Sequence, residues 1–249
     1  MPIFDDLSLL TLAVICVAAL ATSAVHGATG VAGGFLMTAV LASVIGVKPV
    51  VPVMSVALLI SHSSRALLNL PDFNKRAFFA VTLVAVPCIV AGALIYGRMS
   101  SSLVAAVLGT IVLISIPLRR WAMNRKVRTS TITLNAVGAV YGALSGVSIG
   151  PGMLLIPFML GYGLAKEAFV ATLAAIALVT NVTRLTVFGA SDLLDMRYLA
   201  LGILIGLLTI PGNWLGRTVL RRMTNAGHAT LVDVLTVIGA LNFFWLALR

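Results

Sequence analysis

Apolar residues run along this chain in long, unbroken stretches rather than in one-sided stripes. Ten stretches can be marked: 7–27, 31–46, 49–69, 77–97 and 101–118, then 131–147, 152–163, 167–189, 197–216 and 228–248. A run of about 18 or more apolar residues reads as a bilayer-spanning helix, because ~20 residues rising 1.5 Å each cover the hydrocarbon core. The pattern predicts an all-α fold, a polytopic transmembrane helix bundle. The first two stretches of each group of five are short and meet at a glycine-rich break. Segments of about 12 to 20 residues cross a ~30 Å core only in part or barely. Each such pair is therefore expected to be a broken or re-entrant helix pair.

The two groups of five repeat one design. Gly30-Val31-Ala32-Gly33-Gly34-Phe35-Leu36 matches Ser148-Ile149-Gly150-Pro151-Gly152-Met153-Leu154. Further on, Ser61-His62-Ser63-Ser64-Arg65 matches Thr180-Asn181-Val182-Thr183-Arg184, and Pro87, Gly92, Arg98 and Met99 match Pro211, Gly216, Arg222 and Met223. The expected organisation is a first repeat over 1–120, a basic cytoplasmic loop over 121–130 and a second repeat over 131–249. Glycine or proline interruptions at matching places in two halves are the best sequence pointer to a transporter binding site.

Charge relates the halves. Basic residues cluster in short connectors: Arg119, Arg120, Arg125, Lys126 and Arg128, then Arg217, Arg221 and Arg222. Such clusters mark cytoplasmic loops. If each short pair counts as two crossings or as none, each half crosses an odd number of times and the halves are inverted. Lys75, Arg76 and both basic clusters then lie inside, with Asp5, Asp6 and the Asp192–Asp195 connector outside. Reading the pair as one long bent helix places Arg217, Arg221 and Arg222 outside and breaks the bias. Two inverted structural repeats are the expected arrangement.

Composition agrees: 60% of the 249 residues are apolar and 10% charged, against about half and a quarter in a soluble domain. The net charge of +10 does not point to nucleic acid, since no soluble segment is long enough to build a folded basic face. The first run could be mistaken for a secretory signal, but Asp5 and Asp6 give its start the wrong charge, and the repeat requires it. Cys16 and Cys88 lie far apart inside apolar runs, without metal spacing or a paired framework. No metal and no cofactor are expected.

Arg65 and Arg184 carry the most chemical information. Each lies four or five residues before the end of its apolar run, where a long side chain can also simply lift its charge to the interface. Both, however, follow a polar tetrad on the same helix, which a lipid-facing arginine does not need. Ser61 shares a helical face with Arg65, as Thr180 does with Arg184, and His62 and Asn181 lie beside that face. A guanidinium fork suits carboxylate or sulfur oxyanions, and the hydroxyl and amide neighbours would complete their hydrogen bonds. Helices restarting after a break present unpaired N–H groups and a positive dipole end, which bind anions. Gly33 and Gly34, and Ser148, Gly150 and Gly152, would form such breaks; tight helix packing is the alternative reading and fits Gly142 and Gly146 well. No carboxylate falls clearly inside the bundle, so any coupled proton would have to use His62, with His26 behind it. Ser145 could suggest a membrane-embedded hydrolase, but such a site needs a histidine base, and the only one downstream is His228.

Gly27-Ala28-Thr29-Gly30-Val31-Ala32-Gly33-Gly34-Phe35-Leu36 and the second copy over 144–157 resemble the paired glycine motifs of the sulfite exporter TauE/SafE family. The first copy differs at Ala32 and at Thr38-Ala39, and Pro151 interrupts the triple glycine of the second. The resemblance implies a bacterial inner-membrane transporter, not an enzyme, for sulfite, thiosulfate, sulfoacetate or related organosulfur or carboxylate anions. Export by alternating access is the expected mode, with an anion channel on the same scaffold as the rival. The partners expected are a small anionic substrate and the lipid bilayer, with a homo-oligomer left open.

Overall fold

The computed structural model describes residues 8–29, 32–68, 71, 73–125, 128–164, 166–220, 234, 237–238 and 240–248. Asp5, Asp6, Gly30, Val31, Asp72, Lys126, Arg221, Arg222, Met223, His228 and Asp233 fall outside them, as do the side chains of Arg65, Arg119, Arg120, Arg125, Lys166, Glu167 and Arg217. The described residues form helices and connectors only. In chain order the helices are α1 (Leu9–Thr29), α2 (Ala32–Ile45), α3 (Val50–Leu68), α4 (Lys75–Arg98), α5 (Ser101–Arg125), α6 (Thr131–Val147), α7 (Gly152–Gly161), α8 (Lys166–Ala190) and α9 (Met196–Leu220). Residues 240–247 are helical as well.

Local chemistry starts and stops these helices. Asn74 caps α4 by accepting from Ala77 N at 2.9 Å, and Ser130 caps α6 by accepting from Thr133 N at 3.2 Å, each satisfying an N–H that the first turn leaves unpaired. Gly46 follows α2 with φ +83°, a left-handed conformation that glycine adopts without steric penalty. Helix α5 continues to Arg125, seven residues past its apolar run, because a polar segment without a breaker can carry a helix beyond the hydrocarbon. Helices α2 and α7, with 14 and 10 residues, are about 21 and 15 Å long. Both fall short of a full crossing, as expected for the interrupted pairs.

Polarity is arranged for lipid. Leu83, Ile132 and Trp214 are 71%, 80% and 71% exposed, whereas Ser55, Ser61, Thr180, Asn181 and Arg184 are buried. A soluble protein rarely leaves so much apolar surface open. Three helical windows, at Leu9–His26, Lys75–Arg98 and Ala171–Ala190, are long and apolar enough to span a membrane, and shorter apolar helices accompany them.

Helix pairing matches between the halves. Helix α4 packs on α6 and α1 on α9; α3 packs on α9 and α4 on α8; α1 packs on α2 and α6 on α7; and α3 meets α8. Exchanging α1–α4 with α6–α9 leaves this set of pairs unchanged. At the helix ends, α5 touches α7, and Asn242 Nδ2 donates to Ala39 O of α2 at 3.0 Å.

Glycines bring the central helices close together. A Cβ placed at Gly138 would lie 2.8 Å from Val81 O, at Gly142 2.4 Å from Ala85 O, and at Gly146 2.6 Å from Ile89 O. Residue numbers rise together on both helices, so α4 and α6 run parallel at this crossing. On the other side, Gly202 meets Val53 and Val56, and Gly206 meets Ala57 and Ile60, making α3 and α9 parallel too. Lipid offers little hydrophobic drive for helix association, so backbone-to-backbone approach over small residues supplies much of the adhesion.

Gly142→Ala is expected to wedge α4 from α6 and lower stability by ~1–3 kcal/mol. Gly189→Ala, on α8 with nothing within 4 Å, is expected to leave stability unchanged or raise it by up to ~1 kcal/mol. Reversible unfolding of the two variants in detergent checks the contrast.

Candidate functional site

The break between α6 and α7 is built by Gly150, whose φ of +108° lies in the left-handed region that glycine adopts without penalty. Pro151 follows as the N-cap of α7, where its missing N–H removes no helical bond. Met153 N donates to Gly150 O at 3.2 Å and Leu154 N to Pro151 O at 2.8 Å, tightening the first turn. The C-terminal end of α6 and the N-terminal end of α7 thus meet inside the bundle. In a medium without water, the free carbonyls of one end and the free N–H groups of the other both need partners.

Arg184 supplies partners for the carbonyl end. It is only 3% exposed, and its Nη1 donates to Ser145 O at 3.1 Å and to Ser148 O at 2.9 Å. Its Nη2 donates to Asn181 Oδ1, one turn back on α8. Asn181 is held in turn by Nδ2 donating to Ala177 O at 2.8 Å. A guanidinium has five N–H donors, so these three bonds leave Nε–H, which has no partner, and one hydrogen on Nη2. All three acceptors are neutral. The positive charge is buried and hydrogen-bonded, yet not neutralised.

A cavity of ≈ 90 Å³ opens beside this group, room for several waters or one small anion. The second half lines it with Ser148, Gly150, Pro151 and Gly152 of the break and with Thr180, Asn181 and Arg184 of α8; the first half lines it with Gly34 and Phe35 of α2 and His62 of α3. Both glycine breaks and both polar tetrads therefore reach one space. Phe35 sits directly on Gly150, where an added Cβ would come within 1.7 Å of its ring. No carboxylate is among the described residues that line the cavity.

Not every expected residue faces it. Ser61 and Gly33 line a smaller adjoining pocket instead, with Ser23 and Thr209. Gly33 serves close packing: a Cβ there would lie 2.0 Å from Thr22 O and 2.4 Å from His26 Cβ. Thr180 lines the cavity, but its hydroxyl donates to Ile176 O at 2.9 Å and lies 2.8 Å from Tyr141 OH. With its proton committed to the backbone, Thr180 can only accept from Tyr141, so in this conformation it positions Tyr141 rather than donating to an anion. The Ser148 hydroxyl is engaged similarly, donating to Leu144 O at 2.7 Å. Arg65 lies on α3 with its side chain outside the described part.

The cavity also includes residues that the motifs did not assign. Tyr141, Ser145 and His26 line it, and His26 faces His62 edge to face with centroids 6.4 Å apart. Tyr141 precedes Ser145 by one helical turn, and helical periodicity from Ser145 was the one signal that could have found it. His26, in the last turn of α1, was legible only as a second candidate for a coupled proton, behind His62.

A family model described as Sulfite exporter TauE/SafE matches residues 15–243. No curated protein and no solved structure matches the chain.

Gly150→Ala is expected to be poorly tolerated, because it combines a positive φ with collision against Phe35. Its strain of at least ~1–2 kcal/mol should appear as a lower melting temperature in detergent. Gly152→Ala, helical and with nothing within 4 Å, is expected to melt at or above the wild-type temperature.

Proposed function

The chain belongs to the sulfite exporter TauE/SafE family, a family of membrane transporters, and on that premise we propose that it carries a small sulfur oxyanion or organosulfur anion through the central cavity. Sulfite, thiosulfate and sulfoacetate are the leading substrates, with short carboxylates next, and the bacterial inner membrane is the proposed setting. One observation carries the reading. Arg184 brings a positive charge to the cavity, and among the described residues its hydrogen-bond acceptors are all neutral. A buried charge without a counter-charge is costly, and an oxyanion entering the cavity supplies one. The open donors on Nε and Nη2 can meet it as a fork, beside the positive end of α7.

Alternating access by inverted repeats is the proposed mechanism. Two lines of argument support it. The charge bias makes both α3 and α9 run inward and both α4 and α6 outward, and the glycine crossings make each of these pairs parallel. Equivalent helices α3 and α8 then run in opposite directions, as inversion requires. Rocking one half against the other opens the shared cavity to each side in turn. Arg65 is proposed to serve the equivalent role to Arg184 in the first half.

Flux in proteoliposomes tests this with labelled sulfite, thiosulfate, sulfoacetate and short carboxylates. Preloading the far side is expected to accelerate labelled uptake, a counterflow that a channel does not show. Arg184→Lys replaces a planar fork with a point charge and loses charge-assisted bonds of about 1.5–3 kcal/mol each. The expected fall in kcat/KM is roughly ten- to hundredfold, with size-exclusion chromatography confirming the fold. Normal transport by both Arg184→Lys and Arg65→Lys would overturn the assignment of the anion to the arginines.

A further inference from the structure

The halves bring unequal chemistry to their common cavity. Where the second half has Asn181, the first has His62, and His26 joins it from α1. Imidazole is the side chain whose charge ordinarily changes near neutral pH. Among the described residues, the other ionisable groups facing this space are Tyr141 from α6 and Arg184 from α8; Arg65, one turn past His62 on α3, is the further cation that the reading above assigns to the anion. None of the three changes charge in that range in the ordinary way. Helix α2 faces it with Gly34 and Phe35, and α9 approaches His26 with Ile205 and Thr209, none of them ionisable. A proton taken up at the cavity near neutral pH therefore has two places to rest, His26 and His62.

We propose that the His26–His62 pair is a proton-coupling site, so that an anion and a proton bind and cross together. The proposal rests on the anion reading above and deepens it. Arg184 already places one positive charge at the cavity, and a protonated imidazole there adds a second. A bound anion offsets that repulsion. Anion binding thus favours protonation, and protonation favours anion binding by the same factor, typically about 5- to 150-fold for coupled sites. Two imidazolium ions with ring centres 6.4 Å apart repel each other, so the pair takes up about one proton per anion. Exchanging a histidine for asparagine, the residue that the second half uses at the tetrad position, removes the titration while keeping a polar side chain.

The test uses thiosulfate and sulfoacetate, which do not themselves titrate near neutral pH. In proteoliposomes containing a trapped pH dye, the wild-type protein is expected to move about one proton with each anion, and an imposed pH gradient is expected to drive accumulation of labelled anion. In detergent and weak buffer, adding either anion to the wild type is expected to draw protons from solution. The double variant H26N/H62N is expected to lower the protons taken up per bound anion at least fivefold, and H26N or H62N alone to lower it less, whatever they do to the rate of flux. With sulfite, which does titrate, the comparison is between wild type and each variant at one pH. Anion flux and binding without any proton movement in the wild type overturn the coupling and leave the anion reading standing. An unchanged proton-to-anion ratio in the double variant overturns the assignment to this pair. Failure of every anion to bind or move overturns the anion reading, and the coupling with it.

Discussion

The hydrogen bonds from Arg184 to Ser145 O and Ser148 O are the interaction on which the interior of this protein depends. A helix interrupted within a bilayer exposes two sets of unpaired backbone groups of opposite polarity, with no water to satisfy them. Here one cation is bonded to the carbonyl end, and the N–H end of α7 is left facing a cavity. The same side chain therefore permits the break and makes its surroundings electropositive. Loss of the guanidinium would leave buried carbonyls unsatisfied as well as remove the charge. The structural role of this arginine and the functional role proposed for it are consequently one role seen from two sides.

A cavity at the centre of a thin-walled bundle requires the rest of the molecule to be tightly joined. The α4–α6 crossing provides this through Gly138, Gly142 and Gly146, and the α3–α9 crossing through Gly202 and Gly206. Both join helices from different halves. Small residues at these positions give two fitted surfaces with no long side chains to disentangle, which suits halves that hold together while changing their angle. The glycines at the breaks do a different job. Gly150 is required by its backbone conformation and by Phe35 lying against it, so that α2 of the first half seals directly onto the break of the second.

Much of this was legible in the sequence, for reasons that are physical. Long apolar runs fix spanning helices because the bilayer imposes a length, and among the described residues the ends of α1–α9 fall within a few residues of those expected, except where α5 continues to Arg125; the start of the run expected over 228–248 lies outside them. The paired breaks and tetrads were legible because each is a short motif that repeats in order. What could not be read was the rotation of each helix about its axis. Gly33 and Gly34 are neighbours, yet one packs under His26 while the other faces the cavity. Ser61 and His62 divide in the same way between two pockets. Nor could the motif show that the Thr180 proton goes to Ile176 O, since that choice depends on Tyr141, which approaches from a different helix.

Inverted halves with identical chemistry would treat the two faces of the membrane alike, apart from the gradients across it. Here the second half contributes an arginine locked onto a helix end, while the first contributes two imidazoles and a phenylalanine that covers the opposing glycine. The permanently charged wall is rigid, because its guanidinium is held at three points. The wall bearing His26 and His62 carries imidazoles, the side chains whose charge ordinarily changes near neutral pH. On the proposed carrier mechanism, affinity for anions would reside in one half and sensitivity to pH in the other. The proposed movement between the halves would then be the step at which the two are brought together or parted.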